Sequence, residues 1–360
     1  ADRRHHVGQA AAAAEAVAVV VVERELVRAV VLGGDGAVGQ SGVAPTALRR
    51  MPEGGSRGPP FAFAGTRTVP TNQTSAARPG AATVLRCGAR ALDLSRPRVM
   101  GILNVTPDSF SDGGRYADPA RALAHARAML ADGADIVDVG GESTRPGAAP
   151  VDEAAEIARV VPVIEALARD GALVSVDTMK PGVMRAAIAA GASIVNDVRA
   201  LSEPGAIDAV AASGAAVCLM HMRGMPATMQ TAPDYRDVVA EVRDFLAARA
   251  RECEAAGIAR DRIVVDPGFG FGKTRAHNLD LLAGLPAIAA VGYPVLAGLS
   301  RKSMLGAITG RPEGERASAS VAAAVLAVER GAAIVRVHDV RETVDALAVW
   351  QAMREREWNR

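Results

Sequence analysis

Polar side chains stand where short apolar runs end. Asn104, Asp138, Asp177, Asn196-Asp197, His221, Asp266, Ser300-Arg301-Lys302 and Arg336-Val337-His338 each close such a run. Asp177, Asn196 and Asp266 offer donors and acceptors suited to a flat, amide-bearing heterocycle, because a carboxylate accepts two parallel N–H bonds from an amino-amide edge. Guanine and pterin both present that edge. Arg336 and His338 alternate across Val337, so a strand turns both side chains the same way. With Lys302 they form a basic set suited to phosphate. In Gly140-Gly141-Glu142-Ser143-Thr144-Arg145-Pro146-Gly147, Arg145 and nearby amides read as an anion-handling loop. Asn104 opens the polar stretch Thr106–Gly114, which is long for a strand-to-helix connection and reads as a mobile functional loop. Singly, these residues are ordinary caps, turns or surface charges. Their shared placement at the ends of apolar runs carries the argument.

Two phosphate-loop look-alikes fail. Asp266-Pro267-Gly268-Phe269-Gly270-Phe271-Gly272-Lys273-Thr274 has Pro267 where that motif needs glycine, and it follows a late strand. Gly34-Asp35-Gly36-Ala37-Val38-Gly39 is a formal dinucleotide fingerprint, but Pro45 follows too soon for a good helix.

The elements that must position these residues are legible from periodicity. Strands are predicted over Val99–Asn104, Asp135–Gly140, Leu173–Asp177, Ser193–Asn196, Ala215–His221, Arg262–Asp266, Val295–Ser300 and Ala333–His338, each followed by an alanine-rich helical stretch. That alternation predicts an α/β fold, a parallel (β/α)8 TIM barrel, and a span of about 260 residues suits it. Gly-Ala pairs at Gly133, Gly171, Gly191, Gly214 and Gly331 lie between helix and strand. Glycine there adopts the left-handed conformation that closes a helix. The polar strand ends then share the carboxyl face, where barrels of this kind carry their active sites.

The rest of the chain excludes other classes. Net charge is +1, which argues against nucleic acid and acidic membranes as partners. Cys87, Cys218 and Cys253 are widely spaced and imply neither a disulfide framework nor a zinc site. Charges at Glu15, Glu23, Arg24, Glu25 and Arg28 interrupt the strongest apolar run, so it is not a membrane span. Residues 1–91 are dense in Gly, Pro, Ser and Arg beyond Gly33 and read as a low-complexity, mostly disordered extension, with Met51 an alternative start. The barrel is assigned to residues 92–360.

Together the motifs resemble the dihydropteroate synthase family. The match runs from about Leu92 to the C-terminus. It takes in Gly101–Gly114, Gly141–Gly147, Ser175-Val176-Asp177-Thr178, Ile194-Val195-Asn196-Asp197, Leu219-Met220-His221-Met222, Asp266–Lys273, Ser300–Met304 and Arg336-Val337-His338-Asp339. The resemblance implies that a pterin diphosphate is joined to p-aminobenzoate, releasing diphosphate, in a cytoplasmic homodimer of the kind sulfonamides target. It implies that Asp177, Asn196, Asp266 and Lys302 hold the pterin and that Arg336 stacks on it. Asn104 would hold Mg²⁺, and Arg336 and His338 would serve the diphosphate. Phe110, Pro146, Lys302 and Ser303 would receive p-aminobenzoate. Thr144, Met220 and Phe271 complete the substrate-binding set, and the loops of Asp112 and Arg145 would close over it. The catalytic set is Asp112, Arg145, Lys302, Arg336 and His338.

Two other readings are weighed against this. A methyltetrahydrofolate:corrinoid methyltransferase would share the pterin contacts but expels no diphosphate, so it needs neither Ser300–Met304 nor Arg336–Asp339. A non-catalytic pterin-binding paralogue would carry damaged loops, and both loops are intact in the sequence.

Overall fold

The computed structural model describes residues 83–106, 119–143, 149–224, 229 and 233–358. Two short antiparallel strands come first, β1 (Val84–Cys87) and β2 (Arg90–Asp93). The next strand is β3 (Arg98–Asn104), and α1 (Pro119–Ala131) follows it. Then strand and helix alternate: β4 (Ile136–Gly140), α2 (Glu153–Arg169), β5 (Val174–Asp177), α3 (Pro181–Ala189), β6 (Ile194–Asp197) and α4 (Ala206–Ala211). The chain continues through β7 (Ala216–Met220), α5 (Val238–Ala255), β8 (Ile263–Asp266), α6 (Arg275–Ala283), α7 (Leu285–Ala289) and β9 (Val295–Ala297). It ends with α8 (Ser303–Thr309), α9 (Ala317–Glu329), β10 (Ala332–Val337) and α10 (Val340–Trp358). Strands β3 to β10 pair in parallel and close into a barrel, with β10 returning to β3. This is the predicted (β/α)8 barrel. Among the described residues no helix is long and apolar enough to cross a membrane.

Two apolar layers hold it. Outward-facing strand residues such as Val137, Val139, Val174, Val176 and Val195 pack under the helices. Helix α2 shows why: Val160, Val163, Ile164 and Leu167 are fully buried and recur at the helical period, so one stripe faces the sheet. Inward-facing residues make the second layer, with Met100, Ile136, Ile194, Ala216, Cys218, Leu296 and Ile334 in one cluster. Leu85, Cys87 and Leu94 join that cluster and close the amino end of the barrel.

The β1–β2 hairpin crosses the end of residues 1–91, which the sequence assigns to a mostly disordered extension, so the ordered unit begins earlier than predicted. Each strand is four residues long, and only β1 alternates exposed with buried residues, a pattern too short to stand out in a stretch rich in arginine and glycine. Gly88, with φ of +66°, opens the tight turn between them.

Glycines 133, 171, 191 and 331 do adopt positive φ before their strands. Gly214 does not. Its backbone lies against the hairpin, with the Gly88 N–H donating to Gly214 O at 2.7 Å and little room for a side chain, since a Cβ would lie 3.2 Å from Gly88 Cα. Strand β9 stops at Ala297, three residues short of its predicted end. The chain turns there instead, with Arg301 at φ +56°.

Candidate active site

Alternation along each strand explains the mouth of the barrel. On β4 the inward residues are Ile136 and then Asp138, and on β10 they are Ile334 and then Arg336. The lower residue of each pair joins the apolar plug, and the upper one is ionisable. Arg336 Nε donates to Asp138 Oδ2 at 2.6 Å, and Nη2 donates to Asp177 Oδ2 at 2.7 Å. Asn196 Nδ2 donates to the same Asp138 oxygen at 2.9 Å. One guanidinium thus bridges two carboxylates from separate strands, with the amide of a third strand on the nearer one.

Asp138 is wholly buried, and its Oδ1 meets no donor among the described residues; nor does Ser175 Oγ, its neighbour across β4 and β5. A buried acceptor without a partner is costly in a protein that has no further use for it. Asp138 is the site residue missed from the sequence. In the sequence it is a polar residue near a strand end, placed like Asp177, with nothing local to mark its role.

Burial sets the protonation of the floor. It pushes Asp177 up to about 7 against the pull of Arg336, with Asp138 adding to the rise. It pushes Asp266 up to about 6, opposed by the Gly268 N–H, which donates to Asp266 Oδ1 at 2.7 Å. Burial and the nearby Arg336 bring Lys302 down to about 8. Arg336 itself stays firmly charged: the two carboxylates outweigh its desolvation.

Lys302 and Phe271 form one wall, the ammonium standing 4.2 Å over the ring centre. Gly270, at φ +82°, makes room for this, since a Cβ there would lie 3.1 Å from Lys302 Cδ. The loop bearing Phe271 is tied down by buried Lys273, which donates to the carbonyls of Gly268 at 2.9 Å and Phe271 at 3.0 Å and sits 3.0 Å from His221 Nδ1. Met220 is buried beside Asp266, its partner in the strand register.

His338 directly follows β10, the strand next to β9, and stands against Ser300. Its backbone N–H donates to Ser300 Oγ at 3.1 Å, and its Nδ1 lies 3.0 Å from the same oxygen. If the Ser300 hydroxyl hydrogen goes to Nδ1, the proton of the neutral ring stays on Nε2. Burial, reinforced by Arg336 and Arg301, lowers the imidazole to about 4, so it is neutral near physiological pH.

Asn104 ends β3 beside Gly140. Its Oδ1 and Asp177 Oδ2 both lie 3.8 Å from where a Cβ on Gly140 would stand. Ser303 is exposed at the first turn of α8. Among the described residues no three His, Cys, Asp or Glu side chains gather as a metal site. A hard cation would therefore draw on Asn104 and on phosphate oxygens of a ligand. That donor set fits Mg²⁺, which is commonly held by few protein groups plus substrate phosphates. Phe110, Asp112, Thr144, Arg145 and Pro146 lie outside the described residues.

A profile of pterin binding enzymes matches residues 100–338. Dihydropteroate synthase of Escherichia coli strain K12 is 54% identical over 263 residues, covering 73% of this chain and 93% of that one. The chain belongs to the dihydropteroate synthase family. The solved dihydropteroate synthase of Xanthomonas albilineans with 4-aminobenzoic acid superposes with a TM-score of 0.72 at 55% identity, over 76% of this chain and 98% of that one. That of Burkholderia cenocepacia complexed with 7,8-dihydropteroate does so with a TM-score of 0.71 at 54% identity, over 77% and 99%. Like other dihydropteroate synthases, this chain is an enzyme. It brings Asn104, Asp177, Asn196, Met220, Asp266, Phe271, Lys302, Arg336 and His338 together at the carboxyl mouth of its barrel.

Proposed function

We propose that this enzyme condenses (7,8-dihydropterin-6-yl)methyl diphosphate with p-aminobenzoate, giving 7,8-dihydropteroate and diphosphate, a step of tetrahydrofolate biosynthesis. One observation carries the reading. Buried carboxylate and amide groups, Asp138, Asp177, Asn196 and Asp266, share the carboxyl mouth of the barrel with the cations Arg336 and Lys302. The carboxylates and amide suit the amino-amide edge of a pterin, and the cations suit its diphosphate.

Asp177, Asn196 and Asp266 take the pterin edge, with Asp138 joining them through its open Oδ1. The Arg336 guanidinium, fixed by its two carboxylates, offers a flat face to the ring. Lys302 supplies charge beside it, and Phe271 lines the wall. The C–O bond at the exocyclic methylene breaks, its electron pair leaving with the diphosphate. The aniline nitrogen of p-aminobenzoate then bonds to the methylene carbon and gives up its extra proton to solvent. His338 serves the departing diphosphate as a neutral N–H donor through Nε2, while Lys302 and Arg336 supply positive charge. Asn104 would hold Mg²⁺, which when bound would supply Lewis-acid charge for the departing diphosphate. Phe110, Pro146, Lys302 and Ser303 are assigned to p-aminobenzoate. Thr144 completes the substrate set, and Asp112 and Arg145 act from their loops.

We also propose a cytoplasmic homodimer. Ile308, Leu326, Val349 and Met353 are exposed apolar residues on the successive helices α8, α9 and α10, which supports a partner face there. The free cysteines 87, 218 and 253 are all buried and unpaired, as a reducing compartment allows.

The test is direct. Purified protein with both substrates and Mg²⁺ should form dihydropteroate and diphosphate, and chelation of the metal should stop it. Folded protein that yields neither product would refute the activity, and undiminished turnover after chelation would refute the metal. Sedimentation as a monomer would remove the dimer.

A further inference from the structure

Between Ser300 and Lys302 the backbone is forced. Arg301 holds φ at +56°, in the left-handed region that side-chain-bearing residues rarely occupy. Strain of this kind persists only where the surroundings over-determine it. Here they do so from three directions. The Arg301 N–H donates to Ser320 Oγ at 2.9 Å. The Arg301 carbonyl accepts from Arg316 Nη1 at 3.0 Å. The side chain grips Asp339 with two parallel bonds, Nε to Oδ2 at 3.2 Å and Nη2 to Oδ1.

Each tie has its own support. Ser320 Oγ passes its hydrogen to Arg316 O at 2.6 Å, so the hydroxyl is oriented. The Arg316 guanidinium lies flat on α8 at Gly306, where any Cβ would come within 2.3 Å of it. The carbonyl of Asp339 takes Thr343 Oγ1 at 2.7 Å in the first turn of α10, which anchors that acid. The Asp339 side chain is 10% exposed and that of Arg301 33%.

The neighbours of the two clamped residues belong to the site. Ser300 and Lys302 flank Arg301, and His338 precedes Asp339. The left-handed step lets both flanking side chains serve the pocket, Ser300 toward His338 and Lys302 toward the Phe271 ring. We propose that Arg301 and Asp339 form a positioning clamp that joins the loops after β9 and β10 and sets Lys302 and His338 in register for the reaction. The clamp rests on the proposed function for its kinetic consequence, though not for its geometry. Bidentate guanidinium–carboxylate pairing is what fixes orientation as well as distance, so lysine is no substitute.

The experiment compares Arg301→Met, Arg301→Gly, Asp339→Asn and the double variant Arg301→Met/Asp339→Asn in the full chain. Urea midpoints confirm that each is folded. Each single variant should lose about tenfold or more in kcat, with KM for the pterin diphosphate little changed, and the double variant should be no worse than either single. Arg301→Gly is the sharpest arm, because glycine removes the backbone strain yet still loses the pair. It should fold at least as well as Arg301→Met and be equally slow. A folded Arg301→Gly enzyme at the wild-type rate would overturn the clamp, as would single losses that multiply in the double variant. A second readout needs no turnover: the ¹⁵N shift of His338 Nδ1 in the substrate-free enzyme should move in Asp339→Asn. An unmoved resonance would overturn the clamp even if the proposed reaction failed.

Discussion

The two ends of the barrel are built from the same strands by opposite rules. At the amino end, Leu85, Cys87 and Leu94 of the hairpin segment meet Met100, Ile136 and Ile334 in an apolar plug with ordinary packing. At the carboxyl end, the next inward residues are Asp138 and Arg336, joined by Asp177, Asp266 and Lys302, with protonation displaced and the buried Asp138 Oδ1 and Ser175 Oγ left without a partner among the described residues. The plug stabilises. The mouth holds charges whose desolvation a purely structural protein would avoid. The contrast separates residues that keep the fold from residues that wait for a ligand.

The largest expected effect comes from Arg336→Met. It strands Asp138 and Asp177 together, and breaking such a pair costs about 3–5 kcal/mol of stability. Loss of its charge at the leaving group should lower kcat/KM by roughly a thousandfold. Urea titration and steady-state kinetics check both, and a kinetic loss below tenfold would break the assignment of the mouth to catalysis. Leu85→Ala tests the other end. It should cost about 2–5 kcal/mol by opening a cavity in the plug while leaving kcat/KM within twofold. A comparable loss of activity in still-folded protein would dissolve the division between the ends.

A smaller effect concerns pH. The folded pKa of Asp177 is raised to about 7 by burial. Its stabilising contribution is therefore fully present below the unfolded carboxylate value and is lost as pH rises through 7. Asp177→Asn has no such loss. Its melting temperature relative to wild type should climb between pH 5 and pH 8 in the ligand-free enzyme, by about a few degrees. A flat difference would show that Asp177 stays charged throughout. The smallest effect is expected from removing residues 1–82, which spares both ends. Melting temperature and kcat/KM should match the full chain, and a dead truncation would assign those residues a role at one end or the other.

Much of this architecture was legible in the sequence. All eight barrel strands announce themselves through short apolar runs with Gly-Ala ahead of several of them. Asp177, Asn196, Asp266, Lys302, Arg336 and His338 stand out because they end those runs. What stayed hidden depends on distance in three dimensions. Asp138 looks like any strand end until Arg336, 198 residues away, is seen to bind it. The strained step at Arg301 has no signature in residue type, since nothing in Ser-Arg-Lys-Ser asks for a positive φ. The hairpin strands are shorter than the window in which alternation can be recognised. The neutrality of His338 follows from burial and neighbouring cations, which spacing does not report.

The hairpin under the barrel also decides how molecules move. With the amino end stopped by Leu85, Cys87 and Leu94, the barrel is a vessel with one opening rather than a channel. On the proposed reaction both substrates and both products share that doorway. The pterin ring rests on the deepest groups and the amine arrives above it, so traffic has an order: the ring goes in first, and the finished conjugate must clear the doorway before the next ring can reach the floor. An occupant that rests only on the rim still bars the way to everything beneath it.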